Sequence, residues 1–251
     1  MFRVDAASGK VTRLTKEGHF GNVRALRDGG ALATMNTVMA PDDLYRLDRN
    51  GRVRQLTNVN RDLLAELDPV TLKEFSFKGA NDDTVWGWTL KPAGPQQAAA
   101  KLPIAFLVHG GPQGSFGNGW SYRWNSRVLS SPGYAVVSID FHGSTGYGQA
   151  FTDSIQNDWG GKPLEDLQKG LAFATANDPQ LDANNACALG ASYGGFMMNW
   201  IAGHWSEPFP CIVNHAGIFD QRSMYYSTEE LWFPEWDFGG RPYFENAEAF
   251  E

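Results

Sequence analysis

Residues 1–60 alternate apolar and polar positions in short runs, the two-residue period of half-buried strands. Phe2–Asp5 followed by Gly9–Thr15 recurs 42 to 43 residues later as Tyr45–Asp48 followed by Gly51–Thr57, each copy reading as strand, polar glycine turn, strand. Ala25–Thr34 supplies a further strand, turn and strand between the copies. A second kind of hairpin, Leu72–Lys78 and Thr84–Leu90, lies across Gly79–Asp83, after a mixed polar and apolar junction at 61–71 and before an exposed Pro/Gln/Ala-rich connection from Pro92 to Lys101. From Leu102 the pattern changes to unbroken apolar runs at Ile104–Val108, Tyr134–Ile139, Ala186–Leu189 and Cys211–Asn214. Helix-like segments around Ser121–Ser130, Gly148–Asn157, Pro163–Asn177 and Phe196–Ala202 separate them. Apolar strands alternating with helices predict a mainly parallel sheet with helices on both faces.

The chain therefore divides into residues 1–60, all β, residues 61–101, linker and entry hairpin, and residues 102–251, α/β. A period of about 40 to 45 residues built of short strands is that of β-propeller blades. One blade cannot bury its own faces, so residues 1–60 read as the remnant, about one blade, of a longer propeller. An unrelated meander sharing a turn sequence is the alternative.

The chemistry centres on Gly190-Ala191-Ser192-Tyr193-Gly194-Gly195, a GxSxGG stretch between an apolar strand and a helical run. That order describes a nucleophile elbow, in which a tight strand-to-helix turn lifts a serine hydroxyl above the sheet and the flanking glycines let strand and helix cross closely. About eighty residues upstream, the strand Ile104–Val108 runs into His109-Gly110-Gly111-Pro112. This resembles the glycine-rich oxyanion loop that accompanies such elbows, which nominates the amides of Gly111 and Tyr193 as donors to an oxyanion. Taken alone, the same stretch is a Gly-Gly-Pro turn.

Composition narrows the functional classes. A net charge of −7 with no basic run argues against nucleic acid or an anionic membrane as partner, and no stretch nears the ~20 apolar residues of a membrane span. Met1–Asp5 lacks a secretory pattern, so the expected location is cytoplasmic, with periplasmic or secreted left open because the true N-terminus can lie upstream. Cys187 and Cys211, both in apolar runs, read as buried free thiols. The three glycines of Asp140–Gly148 are spaced GxxGxG, which is neither a dinucleotide fingerprint nor a P-loop. The acids of Leu164–Phe173 read as the solvated face of an amphipathic helix. No cofactor or metal is implied.

Together HGGP, FHGSTGYG, GASYGGFMMNW and TEELWFPEWDFGG resemble the prolyl oligopeptidase family of serine peptidases, particularly its acylaminoacyl-peptidase and dipeptidyl-peptidase branch, from about Leu72 to the C-terminal end. The resemblance implies a β-propeller followed by an α/β-hydrolase domain and a peptide substrate. It implies Ser192 as the nucleophile, with the amides of Gly111 and Tyr193 as the oxyanion hole. It also places Tyr225 and Tyr226 in the wall of the pocket for the residue before the scissile bond. His142 is a departure, since the family more often has Arg before GSTGYG.

A larger departure is the acid and base. The hydrolase order is Ser, then Asp or Glu, then His, on loops after later strands. After Ser192 only Glu207 and His215 fall in that order, too close together for two further strands, and His215 reads as a core-edge residue. The catalytic Asp and His are expected beyond Glu251. The expectation is a serine peptidase cleaving short peptides, poorly active as this chain alone and completed by the missing C-terminal segment or a second chain. A carboxylesterase and a non-catalytic binding or assembly module are the alternatives.

Overall fold

A computed structural model describes residues 1–93 and 101–250, which leaves part of the Pro92–Lys101 connection outside the described residues. The chain forms two units, Met1–Asp68 with Asn118–Arg127, and Pro69–Gly117 with Val128–Glu251.

In the first unit, β1 (Phe2–Val4) and β2 (Val11–Arg13) form a two-stranded antiparallel sheet. The strands β3 (His19–Ala25), β4 (Ala31–Thr37), β5 (Ala40–Leu47) and β6 (Val53–Gln55) form a four-stranded antiparallel meander in sequence order. The repeated hairpins of the sequence are thus β1–β2 and β5–β6. Ala33 and Leu47 are buried in the four-stranded sheet, while Phe2, Val4 and Val11 are exposed. A one-turn helix, α1 (Arg61–Ala65), follows.

The second unit is built on a six-stranded mixed sheet. Its hairpin β7 (Val70–Lys78) and β8 (Thr84–Pro92) matches the alternating pattern at 72–90. Next come β9 (Leu102–Val108), the short helix α2 (Ser126–Ser130), β10 (Ala135–Asp140), α3 (Gln149–Asp153) and α4 (Lys162–Asn177). The chain continues as β11 (Leu181–Ala191), α5 (Tyr193–His204), β12 (Cys211–His215), α6 (Gln221–Ser227) and α7 (Trp232–Asp237). Strand order is β12-β11-β9-β10-β8-β7, with the first four strands parallel, β8 antiparallel to β10 and β7 antiparallel to β8. The helices expected over 121–130 and 148–157 are single turns, α2 and α3.

Strands β9 and β10 are buried on both faces, as their unbroken apolar runs require. The face bearing Phe106, Val137 and Ile139 carries the core. Gly170 of α4 lies against Ile139, and Trp205 and Phe209, between α5 and β12, pack on Phe106. Fully buried Tyr193, Met197, Met198, Ile201 and Leu167 complete it. The connection from β9 runs toward β10 and that from β11 toward β12, so the chain reverses direction between β9 and β11. In open α/β sheets ligands bind at the strands' carboxyl ends beside such a switch point, and both glycine motifs emerge there.

Two readings of the sequence are corrected. Cys187 and Cys211 are directly opposed on the parallel strands β11 and β12, with Cα atoms 4.5 Å apart, and form a disulfide. Apolar surroundings suggested free thiols, but strand register decides which sulfurs meet. Asp166 of α4 is fully buried instead of solvated. Its carboxylate accepts the amide of Ala80 at 2.7 Å, the amide of His142 at 2.7 Å and the His142 Nδ1–H at 2.6 Å. The alternation of α4 puts Asp166 on the same face as Leu167 and Gly170, where it pins the β7–β8 turn to the loop after β10.

Candidate active site

Ser192 stands between β11 and α5 with φ 59° and ψ −119°, a left-handed backbone that costs a non-glycine residue energy and marks a constrained turn. Serine commonly caps helices, yet the Ser192 side chain makes no capping bond to α5. The turn is fixed through its backbone: the Ser192 amide donates to the His215 carbonyl at 3.1 Å and its carbonyl accepts from Phe196 at 2.9 Å.

The glycines make the crossing geometrically possible. A Cβ on Gly190 would lie 2.2 Å from the Gly194 oxygen, and one on Gly194 would lie 2.4 Å from the Val108 oxygen. Atoms do not approach so closely, so β11, the start of α5 and the end of β9 can nest only around hydrogen. The next turn repeats the device, with a Cβ on Gly195 at 2.4 Å from Gly217 Cα. Asn214 ties that contact together, donating to the Gly195 carbonyl at 2.9 Å and accepting the Gly217 amide at 2.9 Å.

The HGGP loop lies against the elbow. A Cβ on Gly110 would sit 3.3 Å from the Ser192 Cβ and 3.0 Å from the Ala191 oxygen. Gly111 has φ 125°, open to glycine alone, and precedes a cis bond to Pro112. Neither the Gly111 amide nor the Tyr193 amide donates to a protein acceptor among the described residues.

Two buried groups brace this loop, His109 at its own start and Asp140 at the end of β10. The His109 ring is stacked on Phe141 at 4.3 Å, and burial holds its pKa below the ordinary value, against the pull of Asp140 and of the Gly110 carbonyl. The neutral ring donates from Nδ1 to the Gly110 carbonyl at 2.8 Å, which leaves Nε2 to accept from Ser144 at 2.8 Å. Asp140 is fully buried, and burial raises its pKa against the nearby His109 and the bonds it accepts. It accepts the Ser115 hydroxyl, the Phe116 amide at 3.0 Å and the Tyr147 hydroxyl at 2.8 Å.

His142 is nearly fully buried, with Nδ1 on Asp166 and Nε2 3.2 Å from Asp83. Burial opposes its charge most strongly, but the bonds and charges of Asp166 and Asp83 together raise its pKa. His109 and His142 thus commit both ring nitrogens to groups other than Ser192. His204 sits on exposed surface, its Nδ1 against the Trp200 carbonyl at 2.9 Å. His215 is exposed on the edge strand β12, not at the core edge, and reaches the elbow through its carbonyl.

Tyr225 and Tyr226 lie on α6, whose start is capped by Asp220 accepting the Ser223 amide at 2.7 Å. Tyr225 is buried and donates to Glu235 of α7 at 2.8 Å, whereas Tyr226 is 63% exposed. Their ring contacts run to each other and to Tyr243, and from Tyr225 to Phe250. The sequence reading missed Asp237, at the end of α7, which is buried and accepts from both Gln113 and Trp159 at 2.9 Å. Only an acid inside an aromatic run, Trp236-Asp237-Phe238, hinted at it.

A model of the prolyl oligopeptidase peptidase family matches residues 120–251, more than half of the chain. The chain belongs to the prolyl oligopeptidase family. Among its relatives, dipeptidyl-peptidase 5 of Schizosaccharomyces pombe is 36% identical over 256 residues, covering 100% of this chain and 36% of the relative. Dipeptidyl-peptidase 5 of Porphyromonas gingivalis is 32% identical over 246 residues, covering 98% and 36%. The chain thus spans about a third of the length of these relatives. Among solved structures, the acylaminoacyl peptidase of Pyrococcus horikoshii superposes with TM-score 0.84 at 28% identity, covering 97% of this chain and 38% of that one. A Mycobacterium tuberculosis puromycin-hydrolyzing peptidase shares the fold, with TM-score 0.74 at 23% identity and coverage of 98% and 38%.

Proposed function

We propose that the chain is the nucleophile-bearing part of a serine peptidase that cleaves short peptides through an acyl-enzyme on Ser192. The α/β unit is read as an α/β-hydrolase domain, and the four-stranded meander of residues 19–55 as a blade of a β-propeller. The observation that carries the proposal is the pairing at the switch point: Ser192, held at φ 59° with its hydroxyl unused for capping, faces the Gly110–Gly111 turn.

Ser192 Oγ attacks the peptide carbonyl carbon while a base takes its proton. The oxygen becomes an oxyanion, which this reading assigns to the amides of Gly111 and Tyr193, the latter at a helix N-terminus whose dipole favours negative charge. Collapse breaks the C–N bond, the base returns the proton to the leaving amine, and water then hydrolyses the ester to regenerate Ser192. His109 and His142 are occupied elsewhere, and this reading draws the base and its acid from residues outside 1–251. Tyr225 and Tyr226 are assigned to the wall for the residue before the scissile bond, with exposed Tyr226 as the face open to substrate. The names of the dipeptidyl-peptidase relatives support a peptide over an ester substrate. The Cys187–Cys211 disulfide favours an oxidising compartment, periplasmic or secreted, over the cytoplasm.

The test is turnover of an aminoacyl anilide and a p-nitrophenyl ester by the full-length gene product and by Ser192→Ala. Anilide cleavage that disappears in Ser192→Ala supports the peptidase reading. Ester cleavage alone makes the protein an esterase, and no covalent labelling of Ser192 by a fluorophosphonate leaves a non-catalytic module.

A further inference from the structure

The two proposed oxyanion donors come from different parts of the chain, and both lead to one carboxylate, Gly111 through its near neighbour Gln113 and Tyr193 through Trp159. Gly111 turns the backbone so sharply that a Cβ there would lie 2.5 Å from the Gln113 amide nitrogen, so fixing Gln113 fixes Gly111. The Gln113 side chain donates from Nε2 to Asp237 Oδ1 at 2.9 Å. On the other side, the Tyr193 hydroxyl donates to the Trp159 carbonyl at 2.6 Å, and the Trp159 indole N–H donates to Asp237 Oδ2 at 2.9 Å. Asp237 and Tyr193 are fully buried and Trp159 nearly so, and the indole also packs edge-on against the Tyr193 ring at 5.1 Å.

We propose that Asp237 is a positioning residue for the oxyanion hole, one carboxylate whose two oxygens hold the Gly111 turn through Gln113 and the Tyr193 amide through Trp159. The inference rests on the reading of Ser192, Gly111 and Tyr193 given above. Its physical basis is that an oxyanion hole works through donors already fixed where charge develops, so the spacing between two independently anchored amides matters as much as either amide alone. A buried carboxylate is an expensive anchor, tolerable where its bonds are made. Here both bonds lead back to the site. Asp237 touches no substrate in this scheme.

The test uses the full-length gene product with Gln113→Glu, Asp237→Asn and the double variant. Gln113→Glu sets a carboxyl group against the Asp237 carboxylate and breaks one arm of the clamp. Turnover should fall about 10- to 100-fold with KM changed less than about 3-fold, because misplacing a donor costs the transition state and not substrate binding. Affinity for a peptide boronate, whose adduct on Ser192 puts an oxygen in the hole, should fall in parallel, while that for the cleaved dipeptide product should hold. In the double variant the introduced asparagine amide can donate to the introduced glutamate while its oxygen still accepts from Trp159, so turnover should recover to within about 3-fold of wild type. Asp237→Asn alone should lose turnover, though less than Gln113→Glu, since the Gln113 amide can rotate to accept from the new asparagine.

Unchanged turnover in Gln113→Glu, equal losses of boronate and product affinity, or no recovery in the double variant would each overturn the positioning role alone. Full turnover in Ser192→Ala would overturn the serine reading and the positioning role with it.

Discussion

Replacing Gly190 by alanine tests whether the elbow is held by close backbone contact. A methyl group there would stand 2.2 Å from the Gly194 oxygen, 2.4 Å from its carbonyl carbon and 2.9 Å from its Cα. Ordinary contact begins near 3.4 Å, so the start of α5 must retreat by about 1 Å. No flexible side chain can absorb that displacement, because every atom met is backbone. Gly194 in turn is packed on the Val108 oxygen, so the retreat loosens α5 from β9 as well. Overpacking a close-packed site costs about 1 to 3 kcal/mol, and the upper half of that range is expected here. The same shift carries the Tyr193 amide, the proposed oxyanion donor, and a displacement of this size at such a donor costs up to about 100-fold in rate. Chemical denaturation and steady-state turnover of wild type and Gly190→Ala, compared with Gly203→Ala on the same helix where a methyl meets nothing within 4 Å, measure both effects. Stability within about 0.5 kcal/mol of wild type and unchanged turnover in Gly190→Ala would refute the argument.

Three further outcomes follow from the fold. The protein unfolded without reductant should show no free thiol, and Cys187→Ala should lose about 3.5 kcal/mol, the loop-closure value for a bridge spanning 24 residues; two titratable thiols in the oxidised protein would contradict the disulfide. Asp166→Asn removes an acceptor from a carboxylate that takes three N–H groups, and should cost about 2 to 4 kcal/mol in equilibrium unfolding; a loss under about 0.5 kcal/mol would return Asp166 to a peripheral role. Burial pushes Asp237 up to about 6, against the bonds from Trp159 and Gln113, so the folded protein binds this proton more tightly than the unfolded chain. Its contribution to stability is therefore greatest below about pH 4 and falls by at most about 3 kcal/mol as pH rises through about 6. Asp237→Asn should flatten that part of the pH–stability profile, and an identical profile in the variant would contradict the assignment.

The α/β unit was legible in the sequence because its central strands β9 and β10 are buried on both faces. Runs such as Ile104–Val108 and Tyr134–Ile139 have no other low-energy home, and GxSxGG between strand and helix fixed the elbow. The sheet order was less so, since nothing local tells β11 to lie beside β9 instead of β10. That long-range choice is what brings Gly110 to Ser192, while the pairing of β12 with β11 opposes Cys187 to Cys211 and makes them a disulfide. Buried charge was the other blind spot. Asp166 and Asp237 sit in stretches that look like a solvated helix face and an aromatic loop, and their partners, His142 with Ala80 and Gln113 with Trp159, lie far away in sequence. Hydrogen-bond satisfaction of a buried carboxylate is a property of the assembled fold.

The central claim, that Ser192 is acylated by peptides, is tested most directly by mass spectrometry of the full-length protein quenched during turnover of an activated peptide ester. The account predicts one acyl adduct per chain, mapped to Ser192, formed before product release and absent from Ser192→Ala. An adduct on any other residue, or peptide turnover that persists in Ser192→Ala, would contradict it.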